Sequence, residues 1–284
     1  LWDDFPDGKV LGGAPLNVLV RLRSLGADAS IISRRGDDAD GAELLRQIEE
    51  KNVHSNLLQV DKTQATSLVK VKLDRSGSAS YDIVYPCAWD RIEVEPAALA
   101  RVAESDAFIF GSLSTRDEVS RASLAQLLEQ AKFKIFDVNL RPPHYDIERI
   151  LATMKLADLV KLNDDELHEI ASTLGSKYHS LEQNIRFLAD LSGAAKICVT
   201  LGSHGAMYYQ EGQIYHNSGF RVKVADTVGS GDSVLAGLTY KLLNAAAPQE
   251  ALAFACALGA LVASYHGATP EISLQQIESF MHPA

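Results

Sequence analysis

Residues 224–238 read VADTVGSGDSVLAGL, and this stretch is the most informative in the chain. Gly229 and Gly231 flank a serine, Asp232 follows at once, and an apolar run of helical character begins there. Glycine permits a tight turn with bare backbone N–H groups, and a helix N-terminus adds partial positive charge. The stretch therefore predicts an anion site formed by the backbone of Gly229, Ser230 and Gly231.

The aspartate of this stretch needs its own explanation, because a carboxylate beside an anion site is electrostatically costly. We interpret Asp232 as a general base that takes the proton of a hydroxyl while this hydroxyl attacks a phosphate held by the amides. The alternative is an ordinary aspartate cap on a glycine-rich turn. The other motifs of the chain favour the base.

Composition restricts the classes of protein to consider. The chain has 284 residues, 46% of them apolar, which is typical of one large α/β domain or two small ones. A net charge of −10 without a basic block argues against binding to nucleic acid or anionic membranes. Three scattered cysteines without a C-x-x-C pair fit a reducing compartment, and no apolar run reaches membrane-spanning length. We expect a cytoplasmic protein.

Apolar β-type runs alternate with helical patterns along most of the chain. The predicted strands are residues 30–33, 107–111, 134–138, 159–162 and 196–201, and the predicted helices are 18–25, 41–51, 118–131, 164–172, 181–191, 234–244 and 249–265. This alternation predicts a parallel sheet with crossover helices on both faces.

One region breaks the alternation. Two β-type runs, 66–73 and 80–85, flank the turn-rich residues 74–77, which is a hairpin signal. A hairpin inserted there does not easily join a parallel sheet, so we expect a small antiparallel flap. Without a repeat or a linker, we predict one domain over residues 1–284 with a lid formed by segments near 4–12 and 64–87.

Further polar motifs stand where strands are predicted to end or helices to begin. In Gly12-Gly13-Ala14-Pro15-Leu16-Asn17, paired glycines allow a ligand to approach the backbone, and Asn17 offers a donor and an acceptor; a turn before a capped helix is the alternative. In Asp137-x-Asn139-x-Arg141, alternate residues of an extended segment point the same way. We expect them to converge where open α/β sheets bind ligands, the alternative being a solvated strand end.

Two later strands are followed by similar motifs. Asn163 and Glu166 are three residues apart and are expected to face one site, for example around a hydrated Mg²⁺ ion. Thr200-Leu201-Gly202-Ser203-His204-Gly205 has glycine where bulkier side chains would block a nucleotide. The sequence lacks a complete P-loop, protein-kinase or dinucleotide-binding signature, which excludes these common nucleotide sites.

In their order along nearly the whole chain, these motifs resemble those of the ribokinase-like (PfkB) carbohydrate kinase family. Residues 1–3, 12–17, 88–90, 111–116 and 136–141 are most similar to the bacterial fructokinases. The resemblance implies an α/β fold, the ribokinase-like three-layer sandwich, with a mostly parallel central sheet and a small antiparallel β lid. It also implies a homodimer and a further strand ahead of Leu1.

The resemblance assigns roles to individual positions. Asp232 corresponds to the base, and Gly229, Ser230 and Gly231 to the anion hole, where Ser230 replaces the family's usual alanine but keeps the amide. Positions on the substrate side are Asp3, Gly12, Gly13, Asn17, Arg116 and Arg141. Positions on the nucleotide side are Asn163, Thr200, Gly202 and Gly205, with Glu166 holding Mg²⁺ through water. Asp226, the carbonyl of Val228 and Gly267 correspond to a site for a monovalent cation such as K⁺.

The expected activity is transfer of the γ-phosphate of ATP to a primary hydroxyl of a free sugar, D-fructose giving fructose 6-phosphate. A 2-keto-3-deoxygluconate kinase stays open, because the flap offers Lys70, Lys72 and Arg75 to an acid sugar. A nucleoside kinase is less favoured, since residues 3–17 contain no second base-stacking platform. The intact Asp232 and its glycines oppose an inactive regulatory relative.

Overall fold

The computed structural model describes residues 1–5, 8–51, 53–73 and 79–282. Its strands are β1 (Trp2–Phe5), β2 (Gly8–Leu11), β3 (Ser33–Gly36), β4 (Leu58–Asp61), β5 (Leu68–Leu73), β6 (Ala79–Ile83), β7 (Phe108–Gly111), β8 (Lys134–Asp137), β9 (Leu159–Asn163), β10 (Lys196–Thr200), β11 (Ala206–Gln210) and β12 (Gln213–Asn217). Its helices are α1 (Ala14–Ser24), α2 (Ala39–Glu50), α3 (Pro96–Glu104), α4 (Glu118–Gln130), α5 (Ile147–Met154), α6 (Asp164–Thr173), α7 (Leu181–Ser192), α8 (Ser230–Leu243), α9 (Pro248–Ala263) and α10 (Leu274–Met281). Within these ranges, no helix has both the length and the apolarity needed to cross a bilayer.

The central sheet has six strands in the order β12-β11-β10-β9-β8-β7. Strands β7 to β10 run parallel, and β11 and β12 complete one edge in antiparallel pairing. Successive side chains of a strand point to opposite faces. Ile135 and Leu159 therefore pack with α1, α8 and α9, while Phe136 and Val160 pack with α4 to α7. The predicted three-layer α/β architecture is confirmed.

A second sheet of four strands, in the order β2-β1-β5-β6, stands apart from the central one. The predicted hairpin is confirmed as the antiparallel pair β5–β6, and its predicted turn at 74–77 lies outside the described residues. The β1–β2 pair is also antiparallel, whereas β1 and β5 run parallel. The second sheet is therefore mixed, and its use as a lid stays a prediction.

The prediction of a strand at residues 30–33 was wrong in position. The strand begins at Ser33 and pairs in parallel with β4, apart from the other sheets. The reason is an ion pair between Arg34 Nε and the buried Asp61 Oδ2 at 2.9 Å, which lets a charged segment enter a half-buried strand. The β11–β12 hairpin is absent from the sequence prediction. Its two turn residues, Glu211 and Gly212, have the positive φ angles of a two-residue hairpin turn, 49° and 87°.

An apolar cavity of about 770 Å³ borders the outer edge of β7. Its walls include β7 itself, Ile31 and Ile32 ahead of β3, and the apolar side of α1. Within the described ranges no strand lies between β7 and β3, so β3 and β4 form a separate sheet. Among the residues predicted to face a ligand, Gly12, Gly13, Asp137 and Asn139 line this cavity.

Candidate active site

The first turn of α8 is shaped by a glycine that no other residue replaces without strain. Gly229 caps the helix with φ 76° and ψ −3°, in the left-handed region. A Cβ atom added to it would lie 2.6 Å from the carbonyl oxygen and 2.7 Å from the Cα of Ala268. Both the backbone angle and the close packing therefore require glycine, and together they fix the direction in which α8 begins.

Two amides in the first turn of α8 are available to an anion. Within the described part of the chain, the N–H groups of Gly231 and Asp232 have no protein acceptor, and neither has the N–H of the cap residue Gly229. The Ser230 N–H instead donates to the Thr227 carbonyl at 3.2 Å, and the Ser230 hydroxyl donates to the Gly259 carbonyl at 3.0 Å. The prediction that the Ser230 amide binds the anion is therefore corrected: Ser230 anchors α8 to the turn before it and to α9.

The Asp232 carboxylate does not cap α8, because this helix has no side-chain cap. Its Oδ2 accepts a hydrogen bond from Asn17 Nδ2 of α1 at 2.8 Å. Burial, followed by the charge of Asp137, raises the pKa of Asp232 to about 6, against the lowering effects of Lys161, Asn17 and Arg141. The carboxylate is thus oriented, beside free amides, and ionised near neutral pH, as a general base requires.

The substrate side of this group is formed by β1 and the turn before α1. A Cβ atom on Gly12 would overlap the Asp3 carboxylate, so glycine at this position leaves room for the present orientation of that carboxylate. Burial raises the pKa of Asp3, and the N-terminal amino group and Arg141 lower it. Arg141 therefore acts on both Asp3 and Asp232, and the structure brings these predicted residues together with Asn17.

The expected alternation along 137–141 does not persist. Strand β8 ends at Asp137, and Asn139 has a left-handed backbone with φ 43°, so extended geometry stops there. The buried Asp137 pairs with Lys161, whose Nζ lies 3.0 Å from Oδ1. The sequence patterns assign no role to Lys161, although it is the one charged residue in the apolar run 159–162.

Arg116 was predicted to bind substrate, but the structure uses its side chain elsewhere. The guanidinium is 3% exposed and donates from Nε and Nη2 to both carboxylate oxygens of Asp90, at 2.7 and 2.8 Å. Nη2 also donates to the Val84 carbonyl at 2.9 Å, and the guanidinium lies 4.1 Å from the centre of the Trp89 ring. Arg116 is therefore consumed by a buried ion pair and a cation–π contact.

On the predicted nucleotide side, the spacing of Asn163 and Glu166 serves a capping box. Asn163 Oδ1 accepts from the Glu166 N–H, and Glu166 Oε2 accepts from the Asn163 N–H, both at 2.8 Å. Glu166 Oε1 accepts from the Leu140 N–H at 2.8 Å. Each carboxylate oxygen keeps acceptor capacity for a water, so Glu166 fits a hydrated Mg²⁺. The described residues contain no cluster of three His, Cys, Asp or Glu side chains for a metal ion.

The two glycines after β10 have different surroundings. Gly202 has a φ of 55° and open space around its missing Cβ. Gly205 has a φ of 82°, and a Cβ there would overlap the backbone of residues 217–219. Glycine at 205 is therefore explained by packing against the strand end of β12 and not by room for a nucleotide. Thr200 ends β10, at the same sheet edge as Asn163.

The three residues predicted to hold a monovalent cation lie together. Asp226 Oδ1 accepts from the Val228 N–H and Oδ2 from the Gly267 N–H, each at 3.0 Å. Asp226 thereby joins the segment before α8 to the loop after α9. Cation binding at this joint stays a prediction.

Comparison with known proteins identifies the family of this chain. The model of the pfkB family carbohydrate kinases matches residues 7–274. The chain belongs to this family. This family member is 31% identical to a fructokinase of Klebsiella pneumoniae over 94% of its own length and 91% of the relative.

Two solved structures resemble this pfkB family member closely. One is a fructokinase from Vibrio cholerae O395 with bound fructose, ADP and calcium ion, with a TM-score of 0.83, 25% identity and coverage of 99% of this chain and 96% of that one. The other is an aminoimidazole riboside kinase from Salmonella enterica with aminoimidazole riboside and an ATP analog, with a TM-score of 0.82, 25% identity and the same coverage.

Proposed function

We propose that this protein is an ATP-dependent sugar kinase that converts D-fructose to fructose 6-phosphate. The observation that carries the proposal is the Asp232 carboxylate, held by Asn17 beside the free amides of Gly231 and Asp232 itself. Family membership supports a carbohydrate acceptor. Fructose as the sugar rests on the similarity to fructokinases.

In the proposed reaction, the oxygen of the sugar's primary hydroxyl attacks the γ-phosphorus of ATP. A phosphorus–oxygen bond forms to the sugar, the bond to the ADP oxygen breaks, and the hydroxyl proton passes to Asp232. The amides of Gly231 and Asp232 donate to the phosphoryl oxygens while charge develops on them. Positioning and charge stabilisation supply most of the rate in phosphoryl transfer, and this site offers both.

Mg²⁺, held through water at Glu166, would neutralise phosphate charge when it is bound.

The four-stranded sheet contains Asp3 in its strand β1, and we propose that this sheet closes over the sugar and excludes water. We also propose K⁺ at Asp226, a cytoplasmic location and a homodimer. The edge strands β2 and β6, which pair with no further described strand, support the dimer.

Two other acceptors have specific support. An acid sugar needs cations, of which Lys70 is exposed on β5, while the Lys72 side chain and Arg75 lie outside the described part. An aminoimidazole riboside is favoured by the resemblance to the Salmonella enterica enzyme. Against an acid sugar stand two carboxylates, Asp3 and Asp232, which its own negative charge would meet in a closed site.

The first prediction concerns these acceptors. We expect kcat/KM for D-fructose to exceed that for 2-keto-3-deoxygluconate and for aminoimidazole riboside, each measured by ADP release with saturating Mg·ATP. A better rate with the acid sugar, lost in Lys70→Ala, would reassign the substrate and leave the kinase intact. Failure to phosphorylate any sugar would refute the proposed function.

Asp3→Ala should raise KM for the sugar by about 10- to 100-fold and change KM for ATP little, because a hydrogen bond to a charged group contributes about 1.5–3 kcal/mol. Asp4→Ala is the matched control: it removes a carboxylate from the next residue of β1, whose side chain points to the other face. Equal effects of the two changes on sugar KM would contradict a sugar contact at Asp3.

A further inference from the structure

Lys161 lies in the middle of the site without a role in the reaction described above. It is directly opposite Asp137 in the parallel pairing of β8 and β9. Both side chains are buried, at 8% and 6% exposure, with Nζ 3.0 Å from Oδ1. The pleat puts them on the same face as Ile135 and Leu159, which pack against α8.

The ammonium group reaches the start of α8. A Cβ atom built on Gly231 would lie 3.5 Å from Lys161 Nζ, so the ammonium lies close to Gly231, whose N–H is one of the two free amides. Burial lowers the pKa of Lys161, but the carboxylates of Asp137, Asp232 and Glu166 outweigh burial and raise it. Lys161 therefore carries its positive charge at neutral pH.

One buried cation thus interacts with several carboxylates. A buried charge is costly unless it is paired, and removing one partner leaves the other uncompensated. The groups that act on Asp232 are Asp137 from β8, Lys161 from β9, Asn17 from α1 and Arg141 from the loop after β8. Asp137 opposes ionisation of Asp232, and the other three favour it.

We propose that Lys161 is a positioning residue for phosphoryl transfer, which compensates the charges of Asp137 and Asp232 next to the amides of α8. The proposal rests on the proposed function, because its readout is sugar phosphorylation. In this arrangement Asp137 holds the Lys161 ammonium in place. The ammonium favours the ionised form of the Asp232 carboxylate, which can then accept the sugar proton. Its positive charge also adds to the positive field at the start of α8.

The test is the pH dependence of kcat/KM for the sugar. In the wild-type protein Asp232 must be ionised, so the rate should fall as pH falls through about 6. Lys161→Met removes the compensating charge, and we expect the pH at which the rate falls, the acid limb of the pH–rate profile, to rise by about one pH unit or more. Asp137→Asn removes the opposing charge and should move the limb down. Opposite shifts from two partners of one ion pair are not expected of a merely structural pair.

Two further variants complete the experiment. Lys196→Met removes a lysine at the distant end of β10 and should leave the acid limb in place. Lys161→Arg keeps the positive charge, and its acid limb should stay at the wild-type pH. Its pH–rate profile can be measured if Lys161→Met does not fold. An unmoved limb in Lys161→Met, or shifts of the same sign in Lys161→Met and Asp137→Asn, overturns the proposal. If the wild-type protein phosphorylates no sugar, the proposed function has failed instead.

Discussion

Asp232→Asn should lower kcat by about 10²- to 10⁴-fold and leave ATP binding nearly unchanged, because the amide keeps the shape of the side chain and removes its proton acceptor. Asparagine still accepts a hydrogen bond from Asn17, so the contact between α1 and α8 persists. The measurement is single-turnover transfer to the sugar, with nucleotide affinity determined separately. Turnover close to wild type would refute the mechanism.

The same variant has a distinctive effect on stability. The pKa of Asp232 is about 6 in the folded protein, above the value of about 3.9 for an unfolded chain. Its ionisation therefore opposes folding, increasingly between pH 4 and 6 and fully above that range. Asp232→Asn should unfold at a higher temperature than wild type at pH 7, and the difference should vanish below pH 4. Destabilisation at pH 7, as from a lost helix cap, would contradict this.

Gly229→Ala should produce the second large effect, a fall in kcat of more than tenfold together with a lower unfolding temperature. Alanine in the left-handed region costs about 1–2 kcal/mol, and its Cβ would also collide with the backbone of Ala268. To relieve that collision the start of α8 must shift, which displaces the amides of Gly231 and Asp232 that are proposed to bind the phosphoryl group. Thermal unfolding and sugar phosphorylation measure the two parts.

Gly193→Ala is the matched control for this change. Gly193 ends α7 with φ 72°, close to the 76° of Gly229, but no atom lies within 4 Å of its missing Cβ. It therefore carries the backbone strain without the collision and lies outside the site. Similar losses of stability and activity in both variants would show that the contact with Ala268 does not shape the anion site.

Sequence reasoning succeeded where a signal is local. The apolar runs of β7 to β10 were identified because buried parallel strands are apolar on both faces. Asp232 was singled out because glycines and a carboxylate at a helix start form a compact pattern, and its role as the base stays a proposal. The capping box of Asn163 and Glu166 is equally local, and there the right pair was chosen for a different purpose.

It failed where the decisive contact joins distant segments. Asn17 and Asp232 are 215 residues apart, and only the packing of α1 against α8 makes them partners. Likewise, Gly205 is explained by the backbone of residues 217–219 and Arg116 by Asp90, neither of which a strand or turn pattern indicates. Lys161 is recognisable in the sequence as a charged residue within an apolar strand, but its contacts with the site depend on α8 covering that face of the sheet.

The ion pair of Arg116 has a mechanical consequence for the four-stranded sheet. Arg116 holds the Val84 carbonyl, one residue beyond β6, and so ties the root of that sheet to the segment that follows β7. If the sheet rotates as the proposed lid, this attachment is its fulcrum. The sheet then moves least near Val84 and most at the end of β5 and the start of β6, which are distant from Val84. A small rotation is therefore enough to open or cover the sugar.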